Sequence, residues 1–407
     1  MVWLLSAITI LASLAWANGQ RETILETLPD MFAAADVVAF VRCDAAELQD
    51  VLLPVVDTHG SDVLGPDGRL MEPDANGYLQ LGEMTFRFTP CTVVASLKGD
   101  PPESITVVTH PPGGSARVPT LPTHLPQGKV ALVFLQRTDE RRFLEADRMR
   151  AGACYTEVQV PPGTYGLLDL SVPRTVTIMS APTTIPDASH PVRRLLLILA
   201  DQLAKETAED RLAALRWLET VDPSRCLVGG GKSVEAELLG EGYDALFTSQ
   251  IEPVLREVVA ARPVEERLRA YVVLLAHGRY DVAEDYIDRL IEYHEHGPHV
   301  PGFLPGVVSM GQGPDSERLY IRLLGSSSRH LVEDGLLHLR EVGTATCRPH
   351  VRALLDADDL NIVAQAMATL AFVDKDMDHL PEFPAGGQDF SDGSRNAELL
   401  QYWRDKQ

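Results

Sequence analysis

HLVEDGLLHLREVG (330–343) and NIVAQAMATLAFVD (361–374) superimpose when the chain is slid by 31 residues. Val332 then falls on Val363, Gly335 on Ala366, Leu336 on Met367, Leu339 on Leu370 and Val342 on Val373. The spacing i, i+3, i+4, i+7 gathers these positions on one helix face. A small residue midway along that face admits a close neighbour, and the flanking aliphatics fill the groove around it. Between the two stretches, CRPHVRALLDADD (347–359) supplies a second helix and an acidic turn. A two-helix unit of this length cannot bury its apolar face alone and must stack on copies of itself.

Outward from that repeat the helical period continues. RRLLLILADQLAKE (193–206), AEDRLAALRWLETV (208–221), YDALFTSQIEPVLREVVAAR (243–262), VEERLRAYVVLLAHG (264–278) and DVAEDYIDRLIEYHEH (281–296) all carry apolar residues at helical spacing. Gly278, GPHVPGFLPG (297–306) and GQGP (311–314) punctuate them. The pattern predicts an α-helical repeat domain over 191–407, clearest at 328–374. This region resembles the HEAT-repeat α-solenoid proteins, in their short bacterial version. The resemblance implies an extended shallow groove suited to a protein partner. An irregular all-α bundle is the alternative reading of the same period.

Before about residue 185 the texture is different, and Pro, Gly, Thr and Val dominate. VVAFVRC (37–43), MTFRFTPCTVVASL (84–97), ESITVVT (103–109), KVALVFLQR (129–137) and RFLEA (142–146) are β-rich runs between turn residues, with TVTIMSA (175–181) a further strand. Residues 54–82, containing PDG (66–68) and ANG (75–77), form an excursion between strands. The expected fold is α+β in two domains: an all-β domain over 18–185, built as an antiparallel β-barrel or sandwich, and the helical solenoid after it. ADVVAFVR (35–42), FTPCTVVASLKGDPPESITVVT (88–109) and QGKVALVFLQ (127–136) resemble a β-module of exported bacterial proteins. That module is similar to the oligosaccharide/oligonucleotide-binding (OB-like) barrel of netrin-like domains and tissue metalloproteinase inhibitors. Those inhibitors chelate a protease's zinc with a Cys at the mature N-terminus. Here the expected terminus is Asn18, so that activity does not carry over.

Residues 2–17, VWLLSAITILASLAWA, are apolar and uncharged. The run is short for a membrane span, which needs roughly 20 residues, and it ends in Ala15-Trp16-Ala17, a small-x-small cleavage pattern. It is read as a signal peptide (1–17) cleaved near Ala17, or else as a retained N-terminal anchor or a buried helix. Export to the periplasm or medium follows from the first reading, with no stable membrane insertion after cleavage. The net charge of −22 disfavours nucleic acid and anionic membranes and points to a protein partner with basic patches. Five cysteines permit one bridge, Cys91 to Cys154, or five buried apolar thiols.

Candidate chemistry is sparse. GGGKS (229–233) lacks the first glycine of a phosphate loop, whose place Cys226 takes, and a loop between helices accounts for it. YHEHGPH (293–299) brings His294, His296 and His299 close in sequence, and imidazoles are competent zinc ligands. On a continuous helix, positions 294 and 296 project about 200° apart, so they share an ion only if the helix has ended. A solvated helix C-terminus, where His is favoured by the macrodipole, is the reading that explains them without a metal. The sequence therefore supports an exported, non-enzymatic interaction or scaffolding protein with no cofactor. The alternative is a metal-dependent hydrolase or metal-binding protein with its site near His294–His299.

Overall fold

The structure, a computed structural model, describes residues 28–44, 49–57, 79–109, 126–137, 153–157, 176–188, 190–221, 242–296, 315–383, 389–391 and 393–406. The apolar run at 2–17, most of the 54–82 excursion, RFLEA (142–146), GGGKS (229–233) and His299 lie outside them. The described residues fall into two compact units, one up to Val254 and one from Leu255 onward.

In the first unit a short helix α1 (Leu28–Ala34) leads into β1 (Val37–Cys43), followed by β2 (Gln49–Asp57), β3 (Leu79–Lys98), β4 (Ser104–Thr109), β5 (Val130–Arg137), β6 (Ala153–Glu157) and β7 (Val176–Ile178). Strand pairing runs β1-β3-β4-β6-β5, and β5 pairs again with β1. All of these pairs are antiparallel except β4 with β6. That one parallel pair departs from the all-antiparallel expectation, and it follows from direction. β4 and β6 both run with β1, because each is one reversal away from an antiparallel neighbour of β1. β2 pairs with β3 from Gln49↔Phe88 to Asp57↔Leu79, so two paired strands bound the excursion.

Alternation along β1 places Val37, Ala39, Val41 and Cys43 in one core with Cys91, Ile105, Val107, Ala131, Val133 and Leu135. Val38, Phe40, Leu132 and Phe134 point the other way and are also fully buried. Helices α2 (Pro191–Leu203) and α3 (Ala208–Leu218) belong to this unit. The Phe134 and Trp217 rings lie 4.7 Å apart, and Trp217 Nε1 donates to Thr177 Oγ1 at 3.1 Å. Asp210, near the start of α3, accepts from Ser180 N (2.7 Å) and Ser180 Oγ (2.8 Å). Burial alone would raise its carboxyl, but hydrogen bonds from Thr207 and Ser180 hold it below the usual range. These contacts draw the first two helices after the texture change at 185 into the unit that holds the strands.

The segments 35–42, 88–109 and 127–136 meet at one corner. Asp36 N donates to Leu135 O at 2.8 Å. Lys98 Nζ donates to Phe32 O (2.7 Å) and Ala33 O (3.0 Å), placing a cation on the last carbonyls of α1. Gly99 has φ +76°, and a Cβ there would sit 2.5 Å from Asp36 O. Glycine is required on both counts.

A helical run, α4 (Tyr243–Leu246), a π-helical turn Phe247–Ile251 and α5 (Glu252–Ala261), spans the unit boundary. The second unit continues with α6 (Val264–Ala276), α7 (Ala283–His296), α8 (Ser316–Leu323), α9 (Arg329–Val342), α10 (Arg348–Ala353), α11 (Leu360–Asp374) and α12 (Arg395–Asp405). Helices α9 and α11 run parallel. Arg329 pairs with Asp359 at their N-terminal ends (3.2 Å), Thr369 Oγ1 donates to Leu336 O midway (3.0 Å), and Gly343 abuts Val373 at their C-terminal ends. Helices α7 and α8 are related in the same way. Arg318 and Arg322 pair with Glu284, Arg322 also pairs with Asp288, and Glu295 accepts from Ser327 N beyond the C-terminus of α8. The period legible in the sequence is therefore the sequence distance between touching helices.

Of the ten repeat positions, Val332, Gly335, Leu336, Leu339, Val363, Ala366, Met367 and Leu370 are buried, while Val342 and Val373 are half-buried. Gly335 marks the closest approach. A Cβ there would lie 3.0 Å from Tyr320 O and 3.1 Å from Leu323 Cβ, both on α8. Gly335→Ala gains about 1 kcal/mol of helix propensity but forces α8 outward at a cost of about 1–3 kcal/mol. The expected result is a net loss of about 1 kcal/mol, read as a lower urea midpoint by Trp403 fluorescence. A midpoint equal to or above the parent's would show that the backbone is not in contact there.

Candidate functional site

Two places in the second unit concentrate polar and ionisable side chains. The first is the α9–α11 seam. Arg340 donates to Gln365 Oε1 and reaches Thr369 Oγ1 at 3.5 Å, with its guanidinium 5.9 Å from the Phe372 ring centre. Desolvation between the helices lowers its pKa to about 10. On α9, His338 stacks on Tyr320 at 4.9 Å, and burial lowers its imidazole to about 4, so it is neutral at physiological pH. Asp334, one turn earlier, is 9 % exposed, and its Oδ2 has no hydrogen-bond partner. Burial, with Glu333 beside it, raises its carboxyl to about 7.

The second is the C-terminal end. Asp376 accepts from His379 Nδ1 (2.7 Å), Tyr402 OH (2.6 Å) and Lys406 Nζ (2.6 Å). His379 lies flat on Tyr402, with ring centres 3.8 Å apart and planes 5° from parallel. Trp403 Nε1 donates to His379 O (3.1 Å), Lys406 also pairs with Asp374, and Arg348 pairs with Asp374 from α10. An open depression beside the cluster is lined by Asp378, His379, Arg395, Glu398, Leu399 and Tyr402. The His379, Lys406 and Tyr402 donors hold the Asp376 carboxyl well below the usual carboxylate range. A carboxylate with three donors and a depressed pKa is a poor general base. Its chemistry is that of a clamp tying α12 to α10 and α11.

The residues singled out in the sequence fall elsewhere. Helix α7 continues through His296, so the helical spacing of 294 and 296 persists, while the His296 side chain and all of His299 lie outside the described residues. Among the described residues no group of three His, Cys, Asp or Glu side chains is placed to hold a metal ion. Cys91 is a free thiol whose Sγ donates to Thr89 O at 3.4 Å. It stands opposite Ile105 on β4, and Cys154 pairs with Thr106 from the far side of that strand. Two strand widths, about 9–10 Å, exceed the roughly 7 Å Cα limit of a disulfide. Strand β4 lies between the strands that carry Cys91 and Cys154.

The C-terminal cluster was not anticipated from the sequence. Its parts, DKDMDH (374–379) and YWRDK (402–406), are separated by a Gly/Pro stretch, and neither carries a motif alone. No family model matches the chain, and no curated protein matches it in sequence.

Asp376 and Asp334 have opposite linkage signs. Asp376, depressed when folded, contributes stability above the unfolded carboxylate value of about 3.9 and loses it as pH falls through its folded value. Asp376→Asn is expected to lower the melting temperature at pH 7, with a deficit that shrinks below pH 4.

Asp334, raised to about 7, favours the fold below pH ~4, and that contribution drains away as pH climbs from ~4 to ~7. Asp334→Asn should therefore match the parent at pH 4 and exceed it at pH 8 by at most about 4 kcal/mol, at about 1.4 kcal/mol per pH unit between ~4 and ~7. Equal pH profiles for parent and variant would refute this.

Proposed function

We propose that this chain is an exported, non-enzymatic interaction or scaffolding protein, in which the second unit is a short HEAT-like solenoid and the first an OB-like barrel. One observation carries the reading. Helices one sequence period apart, α9 with α11 and α7 with α8, lie parallel and touching. That is the translation by which a solenoid grows. Helix α12, buried through Leu399 and Trp403 and fastened by the Asp376 cluster, packs on the end of α11 and continues the helical stack. The return of strand pairing from β5 to β1 supports the barrel. The apolar run at 2–17 supports export, and no helix among the described residues is long and apolar enough to cross a membrane.

A solenoid surface is broad and shallow, and it suits a folded or extended protein better than a small reactant. The ionisable groups that converge at Asp376 are engaged with one another, which fits a structural role. With a net charge of −22, the surface favours a partner with basic patches.

The test is capture on the immobilised full chain from the extracytoplasmic fraction, followed by a salt step. Discrete basic proteins should be retained and then released as salt rises. Their retention should weaken when exposed acids of the helical surface are reversed, as in Glu341→Lys with Asp358→Lys. Retention no greater than on a charge-matched control protein would remove the proposal.

A further inference from the structure

Cys43 stands directly opposite Cys91 in the antiparallel β1–β3 pair. Cys43 N donates to Lys129 O at 3.1 Å, and Cys43 O accepts from Gly128 N at 2.9 Å. Both of its main-chain groups are therefore turned toward the β5 side. Facing β3, Cys43 occupies a non-hydrogen-bonded position, where opposed Cα atoms stand about 4.5 Å apart and side chains come closest. That separation falls within the roughly 4.4–6.8 Å that a disulfide spans. Asp44 N donates to Pro90 O at 3.1 Å beside the pair and fixes the register. The two side chains share one face and one core, with 1 % and 0 % exposure, among Val41, Ile105 and Ala131.

We propose that Cys43 and Cys91 form a cross-strand disulfide within the strand core of the first unit, and that the structure holds this pair in its reduced form. The co-reactant is a disulfide of the thiol–disulfide oxidant class. Its S–S bond breaks, the Cys43–Cys91 S–S bond forms, and the two cysteine protons and two electrons pass to the oxidant, which leaves as a dithiol. Burial, with Cys43 and Asp44 nearby, lifts the Cys91 thiol to about 12, so the folded protein presents almost no thiolate for exchange. The bond is accordingly made while β1 and β3 are still coming together, and it is a structural bond, not a switch. The inference rests on strand register and holds whether or not the helical surface binds a partner.

The experiment uses the full chain, unfolded in urea with reductant and refolded with oxidised glutathione. The product is alkylated and peptide-mapped without reduction. The expected product is a linked Cys43–Cys91 peptide pair, lighter by two hydrogens than its separate halves. The bond should resist dithiothreitol in native buffer and yield to it in urea. The oxidised chain should melt roughly 5–15 °C above the chain refolded in dithiothreitol. That difference should vanish in the Cys43→Ala, Cys91→Ala double variant. Recovery of Cys91 in alkylated form, or linked to any cysteine other than Cys43, overturns the proposal.

Discussion

At three glycines an added β-carbon would crowd a backbone carbonyl at 3.0 Å or less, and the packing of both units depends on that closeness. Gly99 rests on Asp36 O, Gly335 on Tyr320 O, and Gly343 on Leu339 O. In the first unit the contact brings the end of β3 against the start of β1, where Lys98 also closes α1. In the second it sets the distance between α8 and α9, and hence how deeply Leu336 and Leu339 are buried. Protein interiors are packed near crystal density, so a single added methyl at such a point must move an entire element.

The helical half was legible because its signal is local. Apolar spacing over 330–343 and 361–374 reports a buried face whatever that face packs against, and helices α9 and α11 span Arg329–Val342 and Leu360–Asp374. Strand β1 was equally clear, since Val37–Cys43 is β-branched or apolar throughout apart from Arg42. β2 and β6 were not legible. Gln49–Asp57 contains Pro54, and Ala153–Glu157 is short, so neither stands out until a neighbour supplies its hydrogen bonds. Helices α8 and α12 were not singled out in the sequence, where a Gly/Pro stretch before each isolates it from the continuous helical period. The reach of the first unit past residue 185 was also invisible, because α2 and α3 carry the same period whether they stack on helices or on strands.

The site was much less legible than the fold. Asp376, His379, Tyr402 and Lys406 converge only because α12 folds back on the end of α11, and no spacing rule spans that return. The buried ionisable groups of α9 read in sequence as ordinary polar positions. Asp334 and His338 differ from exposed neighbours only in what covers them, and this disfavours the charged form of both, raising the acid and lowering the imidazole. The opposition of Cys43 and Cys91 likewise requires the register of β1 on β3.

Contact distance along the chain separates the two units in another respect. Helices α7 and α8, and α9 and α11, meet about one period apart, and even α12 reaches back only to Arg352 and Asp356, so the helices can settle soon after they are made. Strand β1 is different, because Val37 waits for Leu135. During synthesis or threading through a pore, β1 appears early and its second partner late. Throughout that interval a seven-residue run, apolar on both faces, has an unsatisfied edge. Slow closure of this kind makes β1 the chain's principal aggregation hazard, and the segment for which a holding chaperone would compete.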